Sequence, residues 1–144
     1  MPVRCSLALL SLLAALLGCA DQVDALYSRG LDLYEKKHYD KALPFISEAA
    51  EAGHADGMSV LGAMYLFGRG VREDGGKAEY WLKRAARSGQ VDAQSILGIM
   101  YATGQGVARN IPEAKEWLTR AAKAGDQHAI DMLRRIEGGP RLST

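Results

Sequence analysis

Few residues of this chain have the type and spacing that could do chemistry. Its three histidines, His38, His54 and His128, stand far apart with no His-x-x-x-His pair. Zinc needs three or four converging ligands, so the expectation is no metal site but surface or helix-capping histidines. Gly68-Arg69-Gly70 and Gly104-Gln105-Gly106 resemble phosphate-cradling turns, yet each lacks a third glycine and follows no strand pattern. Nucleotide binding is therefore not expected. Ser59, Ser88 and Ser95 lie outside any Gly-x-Ser-x-Gly turn and read as helix-surface or helix-end residues. Glu48 with Glu51, and Glu113 with Glu116, have the spacing of neighbours on a solvated helix face. The expectation is a chain without cofactor or catalytic residue.

One residue is placed for covalent modification. Arg4 precedes an apolar run from Leu7 to Leu17, interrupted only by Ser11, and Gly18-Cys19 follows. The run is too short for a membrane span, which needs about 20 residues, and reads as an export signal. Leu16-Leu17-Gly18-Cys19 resembles the bacterial lipobox, which implies a leader over 1–18, lipidation of Cys19 and a short linker over 19–22. The alternative is an ordinary signal peptide cut near Ala20. With Ala20 after the cysteine, the resemblance implies an outer-membrane lipoprotein facing the periplasm, touching the membrane only through its lipid. The chain has two cysteines. Cys5 lies in the leader, so the mature chain has no intrachain disulfide and must be held by packing. Without Arg4, 17 basic residues balance 17 acidic ones and no basic run appears, so nucleic acid is not an expected partner.

The elements that position everything else repeat. Gly53, Gly62, Gly68 and Gly70 return 36 residues later as Gly89, Gly98, Gly104 and Gly106, with Tyr65, Trp81, Leu82 and Arg84 returning as Tyr101, Trp117, Leu118 and Arg120. Such a period marks an array whose units bury their apolar faces on one another. Met58, Leu61, Met64 and Tyr65 fall at helical spacing, as do Ile96, Leu97, Met100 and Tyr101, and form the first helices of two hairpins. Gly62 and Gly98 inside them cost helix stability and imply close approach by a partner helix. Gly68, Gly70, Gly104 and Gly106 end those first helices. Asp74 and Asn110 cap the second, with Glu113 completing a capping box, and Gly53, Gly89 and Gly125 close consecutive second helices.

The order Ala-x-Gly, Leu-Gly-x-Met-Tyr, Gly-x-Gly-Val and Trp-Leu-x-Arg-Ala-Ala resembles the Sel-one-like repeat family, a relative of the tetratricopeptide repeats. The likeness covers 53–88 and 89–124 as full units. Residues 23–52 look like a plainer tetratricopeptide unit, 125–137 a capping helix with Arg134 at the glycine position, and 138–144 a tail. The expected fold is all-α, a superhelix of about three helical hairpins plus that cap. Some cysteine-rich members of the family are described as binding or hydrolysing penicillin-type substrates, but their disulfide pairs are missing here.

The resemblance also implies a concave face lined by first helices. Stacking positions around the helix glycine gives Asp24, Asp56 and Asp92 six residues before it and Tyr27, Ser59 and Ser95 three before it. Leu31, Ala63 and Ile99 stand one after it, and Tyr34 and Leu66 four after it. The expectation is a partner-binding groove with an acidic edge and an apolar, partly aromatic floor, suited to a protein segment carrying a basic beside an apolar side chain. The alternative is that the aspartates serve helix N-termini and the apolar residues pack between helices. The functional expectation is a non-catalytic adaptor or scaffold of the bacterial envelope. The alternatives are a penicillin-binding or hydrolysing envelope enzyme and an immunity or inhibitor protein.

Overall fold

The computed structural model describes residues 6–138, with side chains from Ala20 onward. Met1 to Cys5 of the expected leader and 139–144 of the expected tail lie outside the described residues, as do the side chains of 6–17 and Cys19. Seven helices run in order and no strand occurs among the described residues: α1 (Ser6–Glu35), α2 (Tyr39–Glu51), α3 (Ala55–Phe67), α4 (Gly75–Arg87), α5 (Val91–Thr103), α6 (Ile111–Lys123) and α7 (Gln127–Ile136). Pairs α1–α2, α3–α4 and α5–α6 are antiparallel hairpins, and α7 closes the third. The result is the expected all-α superhelix with its cap. Segment 19–22 is part of α1. No helix among the described residues is long and apolar enough to cross a membrane.

The repeated residues build the joints. Gly53, Gly89 and Gly125 have φ of +92°, +91° and +91°, a left-handed turn that glycine takes without steric cost and that sends each second helix into the next first helix. Asp74 Oδ1 accepts the Lys77 N–H at 2.9 Å and Asn110 Oδ1 the Glu113 N–H at 3.2 Å, so both caps form. The reciprocal half of the capping box at Asn110 does not. The Asn110 N–H donates to the Tyr101 carbonyl at 2.8 Å, as that of Asp74 does to Tyr65 at 2.9 Å. Glu113 is left to accept from Asn110 Nδ2 at 3.3 Å.

Close approach explains the glycines inside the first helices. A Cβ on Gly62 would stand 2.6 Å from Leu82 Cγ, one on Gly98 2.5 Å from Leu118 Cγ, and one on Gly30 2.6 Å from Ile46 Cδ1. Ile46, Leu82 and Leu118 are fully buried there, flanked by Ala42, Ala78, Ala85, Ala114 and Ala121. In α7 the same register holds Arg134, whose side chain would bar such an approach. The loops after α3 and α5 lock neighbouring units: Gly70 sits on the start of α2 at Tyr39 and Asp40, and Gly106 lies against Gly75 at the start of α4.

Candidate inner-face binding site

First and second helices differ in how they are buried. In α4 and α6 buried residues occupy one side, whereas α3 buries Gly57, Met58, Ser59, Leu61, Gly62, Met64 and Leu66. Each inner first helix is held between its own second helix and the preceding one. Gln94 on α5 makes this contact polar, donating through Nε2 to the Ala86 carbonyl at 3.1 Å. Apart from the half-buried Ala55, Tyr65 and Val91, what remains open on α3 and α5 is one stripe at i, i+4, i+7 and i+11: Asp56, Val60, Ala63 and Phe67, then Asp92, Ile96, Ile99 and Thr103.

Only part of the expected groove coincides with that stripe. Asp24, Asp56 and Asp92 are exposed, and Leu31, Ala63 and Ile99 are half-buried along its floor. Ser59, Ser95 and Leu66 do not belong to it, being 8%, 4% and 2% exposed. Their positions turn towards neighbouring helices rather than solvent, and Ser95 Oγ donates to Asp126 Oδ1 at 2.9 Å. Val60, Ile96 and Phe67 are floor residues that the sequence columns missed. Phe67 is 49% exposed. The signal for them is the i, i+4, i+7, i+11 spacing continued from Asp56 and Asp92.

The tyrosines at the first unit are already engaged. Tyr27 stacks on His54 with ring centroids 4.2 Å apart. His54 is the N-cap of α3: its Nδ1 accepts the Gly57 N–H at 3.1 Å, and its Nε2 lies 3.3 Å from Asp24 Oδ1. An accepting Nδ1 puts the imidazole proton on Nε2, directed at that carboxylate. Tyr34 meets Tyr39 edge-on, and its hydroxyl accepts from Arg69 Nη1. The Arg69 guanidinium lies 5.6 Å from the Tyr39 centroid and 5.1 Å from that of Phe67. Burial first, then the charges of Asp56, Glu35 and Asp92, push the Tyr27 hydroxyl pKa up. Carboxylates of three helices therefore act on one place, and among the described residues neither Asp56 nor Asp92 has a cationic partner within 4.0 Å.

A second cluster of titratable groups lies between the last two hairpins. The Tyr101 hydroxyl donates to Glu79, and Lys83 Nζ bridges Glu79 at 2.7 Å and Glu113 at 3.6 Å. Burial opposes the charge on Lys83, but its hydrogen bonds to Glu79 and Tyr101 outweigh it and raise the ammonium pKa. Burial and the bond to Glu79 raise Tyr101 to about 12, against the opposing effect of Lys83. Burial would raise Glu79 as well, but the bonds from Lys83 and Tyr101 bring it below its usual value. These shifts hold each group in its ordinary charge state at neutral pH, the reverse of what a nucleophile or general base requires. The cluster is a polar clasp between units. A hollow of ≈ 550 Å³ lined by Tyr65, Val71, Arg72, Glu73, Asp74 and Lys77 carries both signs of charge. Its Asp74 is committed to capping α4.

Stacked hairpins that repeat one register define a helical-repeat protein of the tetratricopeptide-like class. The chain belongs to the Sel1 repeat family, whose model matches residues 13–54, 55–90 and 91–126. The first match takes in the hairpin read from sequence as a plainer tetratricopeptide unit. Sel1 repeat proteins are typically protein-interaction scaffolds and generally not enzymes. Among solved structures, a Sel1 repeat protein from Oxalobacter formigenes is 36% identical over 67% of this chain and 28% of its own, with TM-score 0.64. The protein c5321, a protective antigen of uropathogenic Escherichia coli with an SLR fold, is 30% identical over 81% of this chain and 26% of its own, with TM-score 0.76. Helicobacter pylori cysteine rich protein B is 28% identical over 64% of this chain and 69% of its own, with TM-score 0.59. The chain thus spans only about a quarter of the length of the first two. A comparison with curated proteins gave no match.

Proposed function

We propose that this chain is a non-catalytic adaptor of the bacterial cell envelope, which receives a protein segment on its inner face. The observation that carries the reading is the open apolar stripe Val60, Ala63, Phe67, Ile96 and Ile99, edged by Asp56 and Asp92, which have no cationic partner among the described residues. A helix apolar on nearly every side belongs in an interior, so an apolar stripe left facing water is a surface made to be covered. The carboxylates along its edge select a segment with lysine or arginine beside an apolar side chain, steering it and fixing its register.

The leader and Cys19 support export and lipid anchoring. The α1 contacts described above begin at Asp24, so removal of 1–18 leaves every one of them in place. One relative is a protective antigen; antibodies reach antigens from outside a cell, which suits an exported chain.

The test is a displayed library of random peptides panned against the protein, with selected peptides measured by titration calorimetry. Basic–apolar sequences should be enriched, and Asp56→Lys with Asp92→Lys should weaken them by about tenfold or more at unchanged helicity. Selection without basic residues, or affinity unaltered by the double substitution, refutes the reading.

A further inference from the structure

The outer face, built by the second helices, has a register of its own. Phe45, Trp81 and Trp117 occupy equivalent positions in α2, α4 and α6, and an arginine covers each ring. Arg29 lies 4.6 Å from the Phe45 centroid, Arg84 4.9 Å from Trp81, and Arg120 4.6 Å from Trp117. The third unit is closed on itself. Trp117 is 6% exposed, and Arg120 Nη2 pairs with Glu116 Oε1 at 2.6 Å.

The second unit lacks that closure, because Tyr80 stands in the register of Glu116. Tyr80 is 56% exposed, the most open large apolar side chain among the described residues. Its ring meets Trp81 edge-on at 5.1 Å. Arg84 lies 5.6 Å from the Tyr80 centroid and donates weakly to its hydroxyl at 3.4 Å. Among the described residues no carboxylate comes within 4.0 Å of Arg84. The helix around it is basic, with Lys77, Lys83, Arg84 and Arg87 against Glu79 alone.

We propose that Tyr80, Trp81 and Arg84 form a second docking site, on the outer face, for a protein segment presenting a carboxylate beside an apolar side chain. The third unit supplies the template. There the chain's own Glu116 completes the arginine that lies over a tryptophan, whereas Arg84 has the same support and awaits the acid from outside. A guanidinium held over aromatic rings, with only a weak bond to a tyrosine hydroxyl, keeps N–H donors free for a carboxylate, with little entropy left to lose. Tyrosine, tryptophan and arginine are the residues that dominate binding energy at interfaces. An inner face that selects a basic segment and an outer face that selects an acidic one would let a single short array hold two partners at once.

The peptide panning described above tests this on the full chain, with a second set of variants. Peptides pairing Asp or Glu with an adjacent large apolar residue should be enriched. Their affinity should fall about tenfold or more in Tyr80→Glu, which recreates the third unit's closure, and in Arg84→Gln, with thermal melts unchanged. Replacing the peptide's acid by its amide should cause the same loss. The inner-face variant Asp56→Lys with Asp92→Lys should leave these peptides bound, so either surface can fail without the other. The proposal is overturned if no acidic–apolar peptides are selected or if they bind Tyr80→Glu as tightly as the parent chain. Binding only to anionic phospholipid vesicles, or concentration-dependent self-association abolished by Tyr80→Glu, would also overturn it.

Discussion

Replacing Gly98 by alanine should destabilise the array, although alanine is the better helix former. In an open helix the exchange would stabilise by about 1 kcal/mol. Here the new methyl would stand 2.5 Å from Leu118 Cγ, 2.8 Å from Cδ2 and 3.1 Å from the Leu118 backbone nitrogen. Rotating the leucine clears the first two contacts but not the third, so α5 and α6 must part slightly. Overpacking of this kind costs about 1–3 kcal/mol, and with backbone involved the upper half of that range applies. Subtracting the helix-propensity gain leaves a net loss of about 1–2 kcal/mol, or roughly 3–8 °C in melting temperature for a domain of this size. Urea and thermal unfolding followed by circular dichroism measure it. Gly76→Ala is the control, because its methyl would meet only Asp74 Oδ1 at an ordinary 3.5 Å; its melting temperature should hold or rise. In a Leu118→Val background the penalty of Gly98→Ala should shrink, as expected for two residues in contact. A stabilised Gly98→Ala variant, or penalties that simply add, would refute the close approach of these helices.

Other outcomes follow from single features. Trp117→Ala should cost about 3–5 kcal/mol by urea unfolding and the half-buried Trp81→Ala less, and loss of partner binding at unchanged melting temperature would contradict the structural role of Trp117. The clasp around Glu79 should give stability a dependence on pH at both ends. The lowered pKa of Glu79 makes its contribution present above the usual carboxylate range and lost as pH falls through the folded value. The raised values of Lys83 and Tyr101 make theirs full below about pH 10 and lost as pH rises, through about 12 for Tyr101. Urea midpoints should decline at both extremes and less steeply in Tyr101→Phe; identical profiles for the two proteins would count against the clasp. Cys19→Ser should abolish lipid labelling and release the protein into the periplasm, and persistence at the membrane would defeat the anchor.

The fold was legible because its joints recur in a fixed register. Gly53, Gly89 and Gly125 announce the turns, Gly62 and Gly98 the helix contacts, and Asp74 and Asn110 the caps, each through a requirement that few other residue types meet. The inner face was only half legible. Asp56, Asp92, Ala63 and Ile99 were placed on it, but Ser59, Ser95 and Leu66 were not separable from Val60, Ile96 and Phe67. In an amphipathic helix a change of polarity marks the wet side; α3 and α5 are apolar almost all round, so nothing along the chain does. Tyr34 illustrates a further limit. Its engagement by Arg69 arises from a loop folding back across the hairpin, and neither residue's neighbours in sequence foretell it.

Arg134 bears on how such an array can grow. Helices α3 and α5 each offer a glycine to an incoming leucine, whereas α7 offers a long cation in that register, so lengthening from α7 onward would meet a barrier at every trial. Growth by internal duplication avoids that residue. A copy of residues 55–90 spliced after Gln90 would set its second helix against α5, as α4 is set now, and its first helix against α4, in the place that α5 now holds. Arg134 thus disfavours a further hairpin built on α7 in the same register, whereas a unit added within the array extends the inner stripe.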